Sequence, residues 1–181
     1  VGSEMCIRDR TSLVLDASPL KNESSNYLEE IVVIGSRDEV TKIAGSGSVI
    51  EQSEIDQFDH VDLGQLLGSV PGVYIREEDG FGLRPNIGIR GATSDRSQKI
   101  TIMEDGVLIT PAPYSAPAAY YVPNASRVHT IEVLKGASAI QHGPHTVGGS
   151  INFVSHPIPD KRTVEIDLSR GTDSFYKYQL A

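Results

Sequence analysis

The run VHTIEVLKGASAIQHGPHTVGGSINFV, Val128 to Val154, decides the fold. It reads as a strand, a glycine, one turn of small residues, a glycine-rich bend and a second strand. Ile131, Val133, Ile151, Phe153 and Val154 favour extended chain, whereas Gly136, Gly143, Gly148 and Gly149 stand where backbone must turn or approach another backbone closely. No catalytic constellation lies within it.

Further motifs surround this unit in a fixed order. Ile87-Gly88-Ile89-Arg90-Gly91 and Met103-Glu104-Asp105-Gly106-Val107 precede it. Together with IEVLKGASAIQHGPHTVGGSINFV they resemble the plug domain of TonB-dependent outer-membrane receptors over roughly residues 30 to 158. The resemblance implies an α+β domain with a small mixed sheet, short helices and long loops. In such receptors it fills a transmembrane barrel of about 22 strands.

Length and composition fit that class and exclude others. The 181 residues suffice for one domain with tails. Net charge is −8, from 16 Lys+Arg against 24 Asp+Glu, and no basic block interrupts it, so nucleic acid is not expected as a partner. No apolar run is long enough for a membrane-spanning helix, which leaves a soluble protein or one embedded through strands. Cys6 is the one cysteine, so no disulfide or thiolate metal site forms within the chain.

From the N-terminus, residues 1–10 (VGSEMCIRDR) resemble translated adaptor sequence and are set outside the fold. Residues 11–29 are too polar to bury a core and form a flexible leader, too short for a folded signalling domain. Residues 30–37 (EIVVIGSR) follow. Their β-prone character suits an ordinary first strand, or an edge segment left free to pair with a foreign sheet. The resemblance favours the second reading, because Glu30, Ile31, Val32, Val33 and Ile34 look like the TonB box and lie where that box belongs.

The plug is expected over residues 38–160. Gly45 to Ile50 forms a turn and brief strand without a phosphate-loop ending. Ser53 and Asp62 are expected helix caps, the second ahead of Leu63, Leu66, Leu67 and Val70 at helical spacing. Strands follow at Val73 to Arg76 and Ile87 to Arg90, and a hairpin turns at Glu104-Asp105-Gly106, whose carboxylates are expected to face water. The three prolines of Thr110 to Pro117 demand an exposed loop. Pro123 to Arg127 leads back as one helical turn. Residues 161–181 then alternate, with Val164, Ile166 and Leu168 on one face and Tyr176, Tyr178 and Leu180 repeating the pattern. That suits a half-buried hairpin; beside the resemblance it implies the first barrel strands, lipid-facing outside.

Chemistry is sparse. His142 and His145 lie three apart, but Gly143-Pro144 breaks any shared helix face, so no metal site is expected. No nucleophile or HExxH motif is present, and neither enzyme activity nor a cofactor is expected. Arginines concentrate instead at Arg76, Arg84, Arg90 and Arg96. By resemblance, Arg90 and Lys135 hold plug to barrel through barrel carboxylates. Arg84 and Arg96 lie in loops that could meet an anionic ligand, with Pro113, Tyr114 and Ser115 of the proline loop beside them.

The resemblance implies gating in an outer-membrane receptor: ligand settles on apical loops, the box is released to the periplasm, and TonB, energised by ExbB and ExbD, captures it by strand addition. Ala112-Pro113-Tyr114 and QHGPHTVGGSINFVSHPIP resemble ferric-citrate receptors most, so a ferric chelate is the expected cargo. Ser115, Ala116 and Ala118 depart from that pattern. A cobalamin or oligosaccharide receptor would share the scaffold motifs, and a soluble periplasmic binding module is the alternative of a different class.

Overall fold

A computed structural model describes residues 7–13, 34, 39–43, 45–58, 62–78, 84–109, 121–143, 145–159, 161, 164–172 and 174–180. The chain divides into two compact units, Leu28–Pro157 on one hand and Val1–Tyr27 with Ile158–Ala181 on the other. In chain order the strands are β1 (Ile7–Leu13), β2 (Ser46–Ile50), β3 (Val73–Glu77), β4 (Pro85–Ile89), β5 (Ile100–Glu104), β6 (Val107–Leu108), β7 (Val128–Lys135), β8 (Gly149–Ser155), β9 (Val164–Arg170) and β10 (Tyr176–Leu180). Two short helices, α1 (Gln52–Phe58) and α2 (Leu63–Gly68), stand between β2 and β3.

The expected mixed sheet is present in the larger unit, ordered β2-β7-β8-β5-β6. Its pairs are antiparallel except β5 with β8, which run parallel. The opening stretch supplies its centre. β7 and β8 pair from Lys135↔Gly149 to Val128↔Ser155, with one irregularity between Val128 and Thr130, and a 3₁₀ turn at Ala137–His142 occupies part of the connection. Both strands are buried almost throughout because their two faces are covered. One face carries Ile131, Val133, Ile151 and Phe153 into the main core with Leu63, Leu66, Leu67, Ile87, Ile89 and Ile102. A smaller cluster collects Ile34, Val49, Leu134 and Ala139, flanked by Val40 and Ile43.

α2 shows how six residues can hold a helix. The Asp62 carboxylate, in extended backbone, accepts the Gly64 N–H at 2.7 Å, which caps the free first turn. Leu63, Leu66 and Leu67 are buried, so tertiary packing supplies what the short length lacks. α1 begins earlier than the sequence suggests: Ser53 sits inside its first turn, and Glu54 reaches back to accept the Glu51 N–H at 3.3 Å. β3 and β4 form a separate two-stranded sheet instead of joining the larger one.

The hairpin at Glu104-Asp105-Gly106 is present, with φ of 50° at Asp105 and 73° at Gly106, as a two-residue turn of the favoured hand requires. Its carboxylates do not simply face water. Glu104 accepts from Tyr121 and Arg127, each at 2.9 Å, and Asp105 accepts the Ser155 N–H at 2.7 Å and its hydroxyl at 2.8 Å. The partners come from distant segments, beyond the reach of local pattern.

In the smaller unit β9 is paired on both sides, by β10 and by β1. Residues 1–10 are expected outside the fold and 11–29 as a leader, yet Ile7–Leu13 runs antiparallel to the whole of β9. A strand edge with unsatisfied ladder groups accepts any extended segment within reach, and this accounts for the pairing. The sheet is inverted relative to a soluble hairpin: Val164, Ile166, Leu168, Tyr176, Tyr178 and Leu180 are exposed, while Asp167 and Ser169 are buried.

Gly149 sets the closest approach in the central pair. Its φ is 156°, and a Cβ there would collide with the Leu134 carbonyl oxygen and press on Ile89. Gly149→Ala is expected to destabilise the larger unit by about 3 kcal/mol, read as a lower denaturation midpoint.

Candidate functional site

Of the segment Glu30 to Ile34, only Ile34 falls within the described residues; Glu30, Ile31, Val32 and Val33 lie outside them. Ile34 is docked, 5 % exposed, in the smaller apolar cluster. Its N–H donates to Glu132 Oε1 at 2.7 Å across 98 positions of sequence. Glu132, itself 1 % exposed, also accepts from Asn152 Nδ2 at 2.8 Å, its direct cross-strand partner. Asn152 Oδ1 in turn accepts the Gly106 N–H at 2.9 Å. A chain of charge-assisted and neutral hydrogen bonds therefore runs from the end of the N-terminal segment to the β5–β6 turn.

Local pattern does not single out Glu132 and Asn152. Their strands alternate, so a carboxylate between Ile131 and Val133 reads as a solvent-facing position. The available signal is Leu134, two residues on and therefore on the same face, which shows that this face is covered too.

Arg90 and Lys135 are brought together. Arg90 has a φ of 53° and its N–H donates to the Gly72 carbonyl at 2.8 Å, which fixes the IRG turn beneath β3. Its guanidinium lies against Gly136, where a Cβ would fall 2.7 Å from Nη1. Lys135, the residue before, donates from Nζ to Ser48 Oγ at 2.9 Å and to the Pro71 carbonyl at 3.0 Å. Burial, and then the neighbouring Arg90, hold the Lys135 ammonium below its ordinary value. Among the described residues no carboxylate is bonded to either cation, an arrangement that calls for an anionic partner.

Arg84 and the backbone of Arg96 both lie at the start of β4. Arg84 directly precedes that strand, and the Arg96 N–H donates to Asn86 Oδ1 at 2.6 Å. Ser97 staples the same corner, accepting the Ile87 N–H at 2.9 Å and donating to the Pro85 carbonyl at 3.1 Å. Arg96 adopts φ of 48° there, and both arginines are exposed. Pro113, Tyr114 and Ser115 lie outside the described residues.

Among the described residues no group of three or more His, Cys, Asp or Glu could hold a metal ion. Burial pushes His142 below its ordinary value, against a smaller opposing pull from Glu132. His129 and His156 pack edge to face with centroids 5.4 Å apart.

Comparison with known proteins agrees with this architecture. The family model described as TonB-dependent Receptor Plug Domain matches residues 39–150. The chain is 27 % identical over 158 residues to the vitamin B12 transporter BtuB of Photobacterium profundum, covering 86 % of this chain and 25 % of the relative. It is 27 % identical over 164 residues to BtuB of Vibrio vulnificus, covering 90 % and 26 %. The chain thus spans about a quarter of the length of these relatives. Among solved structures, the unliganded ferric citrate transporter FecA superposes with a TM-score of 0.62 at 22 % identity, covering 77 % of this chain and 27 % of FecA. FpvAI, solved with pyocin S2, gives a TM-score of 0.59 at 20 % identity, covering 75 % and 17 %.

The buried Lys135 carries a pH signature. Because the folded Lys135 value lies below 10.5, the unfolded chain binds more protons between the two values. The cost of the buried charge is therefore full below the folded value and shrinks as pH rises towards 10.5. A urea denaturation series through that range is expected to show the wild-type chain gaining stability relative to Lys135→Met as pH rises.

Proposed function

Because the chain belongs to the TonB-dependent receptor plug domain family, we propose that it is the plug part of an outer-membrane receptor for active uptake of a ferric chelate. TonB captures residues 30–34 by strand addition, with ExbB and ExbD supplying the energy from the inner membrane. The observation that carries this reading is the position of Ile34. The matched domain begins at residue 39, and immediately before it the chain is tied to the plug through Ile34. A pull on the preceding residues is thereby delivered to the central sheet.

The remaining residues take roles consistent with that reading. Arg90 and Lys135 meet carboxylates of a surrounding barrel, which would compensate two adjacent cations that have none among the described residues. Arg84 and Arg96 offer two exposed guanidinium groups to an anionic chelate, a geometry arginine suits through paired N–H donors. Pro113, Tyr114 and Ser115 complete the ligand contacts. The exposed apolar face of β9 and β10, with the buried Asp167 and Ser169 of β9 on the other side, suits strands of a barrel wall, apolar towards lipid and polar towards the lumen.

A second cargo has its own support. The relatives named above are vitamin B12 transporters, so cobalamin stands beside ferric citrate as the molecule to test. FecA, at 22 % identity, bears on the fold alone.

The test is uptake of labelled ferric citrate and of labelled cobalamin by cells whose one candidate receptor is the full-length protein, with and without Ile31→Pro. Proline removes a ladder donor and fixes φ, so capture by strand addition is expected to fail and uptake to fall to background. Uptake of one cargo that is indifferent to the proline would overturn the assignment of residues 30–34.

A further inference from the structure

Glu132 is a fully buried carboxylate in the middle of a central strand, where an apolar residue would cost less. Its setting explains the choice of residue. Two donors converge on it from different elements: the Ile34 N–H reaches Oε1 at 2.7 Å and Asn152 Nδ2 reaches Oε2 at 2.8 Å. Both side-chain atoms must accept, and a carboxylate supplies two acceptor oxygens where glutamine supplies one. Asn152 is orientated by the same logic. Its Nδ2 faces the carboxylate and its Oδ1 faces the Gly106 N–H at 2.9 Å, and the flipped amide would oppose donor to donor.

The position of Ile34 along the chain gives this bond a mechanical meaning. Force applied to residues 30–34 meets Ile34 before it reaches β2, whose five residue pairs with β7 begin at Ser46. Withdrawing Ile34 takes a charge-assisted donor from a carboxylate that is 1 % exposed and empties its place in the smaller apolar cluster. The opposite end of the relay, Gly106, lies in the β5–β6 turn, a few residues ahead in sequence of Pro113, Tyr114 and Ser115.

We propose that Glu132 is the positioning residue that latches the N-terminal segment to the plug through Ile34, and that Asn152 ties this latch to the β5–β6 turn. The latch sets how readily residues 30–34 are surrendered to a pulling partner. It deepens, and rests on, the reading of those residues as the segment TonB takes.

The test uses hydrogen exchange by mass spectrometry on the full-length receptor, following the peptide that contains Ile34 and the peptides of β7 and β8. Glu132→Gln leaves two donors facing one another across β7 and β8 or strips the Ile34 bond. It is expected to speed exchange at Ile34 about tenfold to a hundredfold while β7 and β8 stay protected. Asn152→Asp opposes two carboxylates and is expected to do the same. The double variant Glu132→Gln/Asn152→Asp reverses the polarity of one hydrogen bond and again satisfies the Ile34 and Gly106 donors and the bond between the two side chains. The introduced amide oxygen accepts from Ile34, the amide nitrogen donates to the introduced carboxylate across the strand pair, and that carboxylate also accepts from Gly106. Protection in the double variant is expected to return to within about threefold of wild type.

Unchanged protection in Glu132→Gln overturns the latch. A double variant no better than the singles overturns the Asn152 tie, and equal loss of protection across β7 and β8 makes Glu132 a merely structural residue, which also overturns the proposal. Should Glu132→Gln not accumulate, Glu132→Asp keeps the charge and shortens the reach by one methylene; it must also speed exchange at Ile34 if the proposal holds. Exchange needs neither cargo nor TonB, so its outcome is separate from that of the uptake test.

Discussion

The close pairing of β7 with β8 is the constraint from which the rest follows. It rests on Gly149, the position where a side chain would strike the Leu134 carbonyl. With the two strands in contact, Ile131, Val133, Ile151 and Phe153 form the floor of the main core, and α2 can be held by packing although it is only six residues long. The same register sets Glu132 opposite Asn152 and Leu134 opposite Ser150 on the other face. That face is where Ile34 comes to rest, so one pairing both builds the domain and creates the place where Ile34 is fixed.

The buried charges of the plug differ in how they are met. Glu132 is supplied with donors from within its own unit. Lys135 is supplied with neutral acceptors, Ser48 and the Pro71 carbonyl, and with a like-charged neighbour in Arg90. A domain meant to stand alone gains nothing by placing two cations together with no bonded carboxylate among its described residues. Under the proposed reading, carboxylates of a surrounding barrel would meet them. The inverted β9–β10 sheet, apolar outwards and polar inwards, fits the same context.

Much of this is legible in the amino-acid sequence wherever local physics decides. The spacing of Leu63, Leu66 and Leu67 behind Asp62 marks a capped helix, Asp105-Gly106 marks a hairpin, and Val164, Ile166 and Leu168 mark one face of a strand, and each stands in the structure. Family resemblance singles out Arg90 and Lys135, which lie side by side. What stays illegible depends on partners far along the chain. Glu104 and Asp105 read as water-facing because Tyr121, Arg127 and Ser155 cannot be inferred from the turn itself. Glu132 reads as solvent-facing because Ile34, its donor, is 98 positions away. The pairing of Ile7–Leu13 with β9 escapes notice because an edge strand selects its partner by backbone, and backbone carries no side-chain signature.

Capture of residues 30–34 as an added strand is tested most directly by cross-linking. Single cysteine substitutions at Glu30, Ile31, Val32, Val33 and Ile34, in a full-length receptor carrying Cys6→Ser, would be paired with cysteines on the periplasmic domain of TonB in cells. Successive side chains of a strand point to opposite faces, so strand addition predicts cross-linking that alternates with every second residue and strengthens when cargo is bound. Uniform cross-linking along the segment, or none in the presence of cargo, would contradict it.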